Sequence, residues 1–194
     1  MAPSRTTRTV LRLIAVLVAG LIVVAGFFLA WCTATEYRPK ESQELRVERA
    51  PAGSTLHVPD PQNPVTVVSF NIGYGGLGKG QDSRDHGGGV APPTAHDVDV
   101  NIAGIIAATS ALPADVYLFQ EVDTGSARSH GVDQAAMLRT NVPYNAAFAH
   151  NIRSAITTSA WPPSGGVSSG LLTMTDFRAP VATRVSLPAS STWP

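Results

Sequence analysis

The sequence predicts a mixed α/β (α+β) body behind a single N-terminal transmembrane helix. Three observations predict it: an uncharged apolar run from Leu13 to Thr35, two short β-rich runs at Val65–Phe70 and Asp115–Gln120, and a stretch of helical period between those two. With 194 residues there is room for one body plus a targeting segment. Lys plus Arg equals Asp plus Glu at 14 each, so the chain lacks the basic field that drives sequence-independent binding to nucleic acid. A single cysteine, Cys32, excludes an internal disulfide framework.

The N-terminal run, LIAVLVAGLIVVAGFFLAWCTAT, is long enough to cross a hydrocarbon core of about 30 Å at about 1.5 Å per residue. Arg5, Arg8 and Arg12 precede it and Glu36 follows, an asymmetry that predicts cytoplasmic residues 1–12, a signal anchor over 13–35 and a translocated body. The run exceeds the usual apolar core of a cleaved signal peptide, so the expectation is an uncleaved anchor; the small residues Cys32 and Ala34 leave cleavage after Ala34 open. Trp31, where a lipoprotein signal wants a small residue, argues against lipidation of Cys32. Residues 36–64 carry Pro39, Pro51, Pro59, Pro61 and Pro64 without sustained periodicity and read as a polar tether.

The body, residues 65–194, opens with VTVVSF, whose β-branched continuity suits a strand covered on both faces. A glycine-rich loop follows from Asn71. Thr94 begins a Thr-x-x-Asp capping box, and Val98, Ile102, Ile105 and Ile106 recur at helical spacing until Pro113. DVYLFQ is a second buried-type strand, ending at Glu121. Strand, helix and strand with no room for a return implies two parallel strands with a right-handed crossover, which brings Asn71 and Glu121 to one carboxyl edge, where open α/β sheets bind ligands. Adjacent strands would start these side chains about 5 Å apart, close enough to share an ion. Further along, Asp133–Asn141 reads as a short helix, Tyr144–Ala149 as a strand, WPPSGG as a loop, and Val167–Met174 and Val181–Leu187 as two strands joined by a turn near Asp176.

The phrases VSFNIGYGG and YLFQEVD, followed by YNAAFAHN, GVSSGLLTMTDF and ATRVSLPASSTWP, resemble the endonuclease/exonuclease/phosphatase superfamily over about Val65 to Pro194. That resemblance implies the first half of a four-layer α/β/β/α sandwich and a hydrolase of phosphoester bonds. It implies that Glu121 ligates Mg²⁺ (or Mn²⁺) and that Asn71 lies beside it, orienting metal or phosphate oxygens; the two are the candidate catalytic and metal residues. Independently of any family, Mg²⁺ takes hard oxygen ligands and needs only one or two carboxylates. The implied substrates are phosphate esters: lipid head groups, small esters or nucleic acid, with the charge balance and the membrane segment favouring the first two. The later family residues, a His, an Asp-x-Asn pair and a closing Asp-His pair, have no counterpart here. The expectation is therefore an incomplete chain, truncated before the residues for turnover, and its alternative is a non-catalytic membrane-tethered remnant.

A serine hydrolase is a third reading. Gly166-Val167-Ser168-Ser169-Gly170 matches G-x-S-x-G, with Ser168 as nucleophile, but a nucleophile elbow needs a following helix and LLTMT is strand-like. Asp82, Asp85, His86, His96, Asp97 and Asp99 have irregular spacing and read as a solvated loop, with Asp97 capping the helix. Gly78-Lys79-Gly80 lacks the Ser or Thr of a phosphate-binding loop. His57, His130 and His150 are isolated; His150, next to the strand that bears Tyr144, is the one nearest the expected cleft, and it too reads as structural.

Overall fold

The computed structural model describes residues 4–35, 37–78, 92–155, 165–179 and 181–187. Lys79, Gly80, Asp82, Asp85 and His86, and the Trp161–Ser164 part of the expected loop, lie outside them. The chain divides into two units, Met1–Glu36 and Tyr37–Pro194. The first holds α1, Arg5–Thr35, a helix of 31 residues with a mean hydropathy of 2.9 over its most apolar window and no buried residue. It is long and apolar enough to cross a membrane.

The body contains β1 (Ser42–Leu45), β2 (Val47–Glu48), β3 (Val67–Asn71), α2 (Ala95–Ala111), β4 (Val116–Asp123), α3 (Gln134–Asn141), β5 (Asn145–Ser154), β6 (Val167–Thr175) and β7 (Ala182–Val185). Among the described residues five strands form one sheet in the order β2-β5-β6-β4-β3, and β1 pairs with β7 in a second sheet of two. β3 and β4 are parallel with α2 between them in sequence, as expected from the sequence; the other pairs in the large sheet are antiparallel.

Local chemistry explains the elements. The Thr94 hydroxyl accepts from the Asp97 amide at 3.2 Å while the Asp97 carboxylate accepts from the Thr94 amide at 2.8 Å, satisfying two helix-end donors of α2. The Thr94 hydroxyl also donates to the Asp97 carboxylate at 2.7 Å, and this bond first, then that from the Thr94 amide, holds the Asp97 carboxyl below its ordinary value. Thr94→Ala is expected to lower stability by about 1 kcal/mol, read as a fall in the denaturation midpoint at unchanged slope. At its other end, α2 delivers the Leu112 carbonyl to the Tyr117 phenol, which donates at 2.8 Å and accepts from the Ala114 amide at 3.2 Å. One side chain thereby joins the end of the helix to the beginning of β4.

The core lies between the helices and one face of the large sheet. Val98 and Ile102 of α2 and Leu138 of α3 meet Tyr117, Phe119, Leu172 and Met174, all nearly inaccessible. Tyr117 and Phe119 stack with ring centroids 5.8 Å apart. The opposite face carries Val67 at 52 % exposure and Leu171 at 39 %.

Three expectations are corrected. β3 is not covered on both faces: its residues are exposed apart from half-buried Val68, and among the described residues it is an edge strand paired with β4. Residues 36–64 are not wholly a tether, since β1 and β2 lie within them; β2 extends the large sheet by pairing Val47 and Glu48 with Ala147 and Ala146. β7 does not turn back on β6; its register is with Ser42–Leu45 of β1. For β2 and β7 the partner is remote in sequence, and short-range periodicity carries no information about it.

Candidate functional site

Asn71 closes β3 and stands in register with Gln120, one residue before Glu121. The Asn71 side-chain Nδ2 donates to Glu121 Oε1 at 3.0 Å, and Asn71 Oδ1 accepts from the Gly73 amide at 2.9 Å. The ladder continues one step beyond, with the Ile72 amide donating to the Gln120 carbonyl at 3.0 Å. Both side chains are exposed, at the carboxyl ends of neighbouring parallel strands. The two residues singled out from sequence are thus brought together.

The sequence gives no sign of how Glu121 reaches that position. β4 does not stop there but runs to Asp123, and the register shifts between Phe119 and Val122, leaving Glu121 as the extra residue of a bulge at φ 55°. A left-handed conformation costs a non-glycine residue about 1–2 kcal/mol. Such strain persists only where the surroundings impose it, and it gathers at functional positions. Here it aims a carboxylate outward at a sheet edge while Val122, the next residue, is wholly buried.

The donor set suits a hard divalent cation held mainly by water and ligand. Glu121 Oε2 is a carboxylate oxygen with no hydrogen bond among the described residues, and the Asn71 amide oxygen retains a second lone pair. No group of three or more His, Cys, Asp or Glu side chains gathers among the described residues, at this edge or away from it. A single carboxylate beside an amide is a sparse site of the sort Mg²⁺ occupies while keeping most of its water. Beside it, a cleft of ≈ 440 Å³ opens between the end of β3 and α2, lined by Phe70, Asn71, Ile72, Leu77, Val100 and Ile105.

The remaining candidates fall elsewhere. Asp97 caps α2. His57 Nε2 lies 3.9 Å from Asp176, and His130 Nε2 contacts the Pro93 carbonyl at 2.8 Å. Ser168 Oγ is 3.1 Å from His150 Nε2 and 2.8 Å from Thr124 Oγ1. This serine is not on a nucleophile elbow, because β6 runs on as a strand to Thr175. His150 packs edge-on against Phe148 at 4.9 Å between centroids. Burial, and secondarily Arg153, hold its imidazole below the ordinary histidine value of 6.5. A depressed histidine contributes stability that is complete above the unfolded-state value and is lost as pH falls through the folded one. The melting temperature is therefore expected to decline on acidification below about pH 6.5, and His150→Gln to flatten that part of the profile.

Asp123, two residues past Glu121, went unremarked in the sequence. It is fully buried, and Arg128 grips both its oxygens at 2.8 and 3.0 Å. An acid followed five residues later by an arginine was the available signal, and it marks a structural pair. No family model, curated protein or solved structure matches the chain.

Proposed function

We propose that this protein is a metal-dependent phosphoesterase-type hydrolase, a phosphodiesterase or phosphatase of the endonuclease/exonuclease/phosphatase kind, anchored by α1 with its body at the outer face of the membrane. The observation that carries the reading is the hydrogen bond between Asn71 and Glu121 where two parallel strands end. Glu121 is the residue that would hold Mg²⁺ or Mn²⁺, and Asn71 orients the carboxylate and presents its amide to a phosphate oxygen. A bound divalent cation supplies polarisation of the phosphoryl oxygen and offsets charge on the leaving oxygen. Among the described residues no histidine or second carboxylate hydrogen-bonds either side chain, so this pair supports cation and phosphate binding and leaves activation of water to other groups.

The balanced charge and the apolar N-terminal helix favour lipid head groups or small phosphate esters over long nucleic acid. The full chain in detergent is to be titrated with Mn²⁺ and then assayed for phosphate release from monoesters and alcohol release from diesters, with Mg²⁺ and with chelator. Uptake of one cation that Glu121→Gln removes is the expected result. A folded chain that takes up none would leave a non-catalytic membrane-tethered body as the reading.

A further inference from the structure

We infer that Gln134 is a positioning residue that fixes the Asn71 loop against the end of β4 and so sets the meeting of Asn71 with Glu121. Gln134 is the first residue of α3 and is fully buried. Its Oε1 accepts from the Asp123 amide at 3.0 Å, two residues past Glu121, and its Nε2 donates to the Tyr74 carbonyl at 2.6 Å, three residues past Asn71. One planar amide therefore bridges the two segments that carry the site. Turning it over would set donor against donor and acceptor against acceptor, so its orientation is fixed by both bonds together.

The segment it holds needs holding. Tyr74 sits at φ 48° without being glycine, between Gly73 at φ 52° and Gly75 at φ 66°. Three successive left-handed residues do not persist unaided. Around Gln134, the Arg128 guanidinium lies 4.0 Å from the centre of the Tyr74 ring while gripping Asp123, a second connection between the same two segments. Asn101 of α2 donates to the Gly75 carbonyl at 2.9 Å. A Cβ on Gly75 would lie 3.2 Å from Gln134 Nε2 and 3.1 Å from Ile102, so loop and amide are in close contact. Of these ties, Gln134 alone hydrogen-bonds the main chain of both segments.

The inference rests on the phosphoesterase reading only for its consequence in cation binding; the geometric claim stands apart from it. The test is the side-chain amide resonance of Asn71 in the full chain in detergent micelles, measured without metal. Gln134→Glu keeps the acceptor for Asp123 and, when ionised, loses the donor to Tyr74. In that variant the Asn71 resonance should hold its place while the buried carboxyl is protonated, because a protonated carboxyl donates as the amide did, and should move toward that of a free amide as the pH is raised until the carboxyl ionises. Core resonances of Phe119 and Leu172 should stay in place. Gln134→Asn, one methylene too short to span both partners, should show the same displacement at every pH.

Where the wild type takes up Mn²⁺, its affinity should fall about tenfold in Gln134→Asn, and in Gln134→Glu once the carboxyl is ionised. An Asn71 resonance that stays unchanged in folded Gln134→Asn, or in folded Gln134→Glu as its carboxyl ionises, would overturn the inference. Failure of the wild type to take up Mn²⁺ would instead remove the phosphoesterase reading and leave the Asn71 displacement still to be observed.

Discussion

Glu121→Gln is expected to lower Mn²⁺ affinity by about 100-fold, the upper end of what even outer partners of a metal site cost, with the melting temperature nearly unchanged. The substitution is isosteric, and the glutamine oxygen can still accept from Asn71 Nδ2, so the hydrogen bond seen at 3.0 Å survives while the charge does not. The side chain is exposed, so its removal opens no cavity. The bulge supplies a second, sharper expectation. At φ 55° a Cβ is a liability, so Glu121→Gly should be more stable than Glu121→Ala by about 1 kcal/mol. That order reverses the one found inside ordinary strands, where glycine is the worse residue. A carboxylate at a position that glycine would fill with less strain is the feature that the proposed ligand role accounts for.

Gly170→Ala is expected to destabilise the body by about 3 kcal/mol, the upper range for overpacking. A Cβ on Gly170 would overlap the Ala149 carbonyl oxygen and come within 2.8 Å of its carbon and 2.9 Å of the Phe148 ring. These are mostly main-chain atoms of β5, whose neighbour His150 is the register partner of Gly170, so they cannot withdraw without opening the β5–β6 ladder. The last glycine of the G-x-S-x-G pattern is thereby explained by two backbones in close approach. Ser168→Ala should cost far less, and a fluorophosphonate probe should leave Ser168 unlabelled. Chemical denaturation of the two variants, with labelling of the wild type, measures all three outcomes.

How much of this was legible depended on the distance over which each feature is determined. α2 could be read to within a residue because its cap, Thr94 with Asp97, and its apolar positions Val98 and Ile102 are local. The adjacency of β3 and β4 was readable because too little chain separates them for any arrangement but a helical crossover. β2 was not, since two residues have no periodicity and acquire their conformation from Ala146 and Ala147 of β5. The edge position of β3 was hidden for the same reason: VTVVSF has the composition of a central strand, and only the tertiary arrangement leaves one side unpaired among the described residues.

At the site, the residue types carried the chemistry and the fold carried the geometry. Asn71 and Glu121 could be named from their places at the ends of β-rich runs, but nothing in FQEVD marks a left-handed glutamate. Gln134 reads as an ordinary first residue of a helix. Its two bonds reach 11 and 60 residues away along the chain, to Asp123 and Tyr74, and no local pattern encodes them.

The central claim, that the Asn71 amide and the Glu121 carboxylate serve one divalent cation, is tested most directly by adding Mn²⁺ in small increments to the isotopically labelled full chain. Paramagnetic broadening should erase the Asn71 side-chain amide and the main-chain signals of Glu121 and Val122 first, saturating at one ion per chain, and Glu121→Gln should prevent it. Broadening that begins elsewhere, or that spares Asn71 and Glu121 at saturation, would contradict the account.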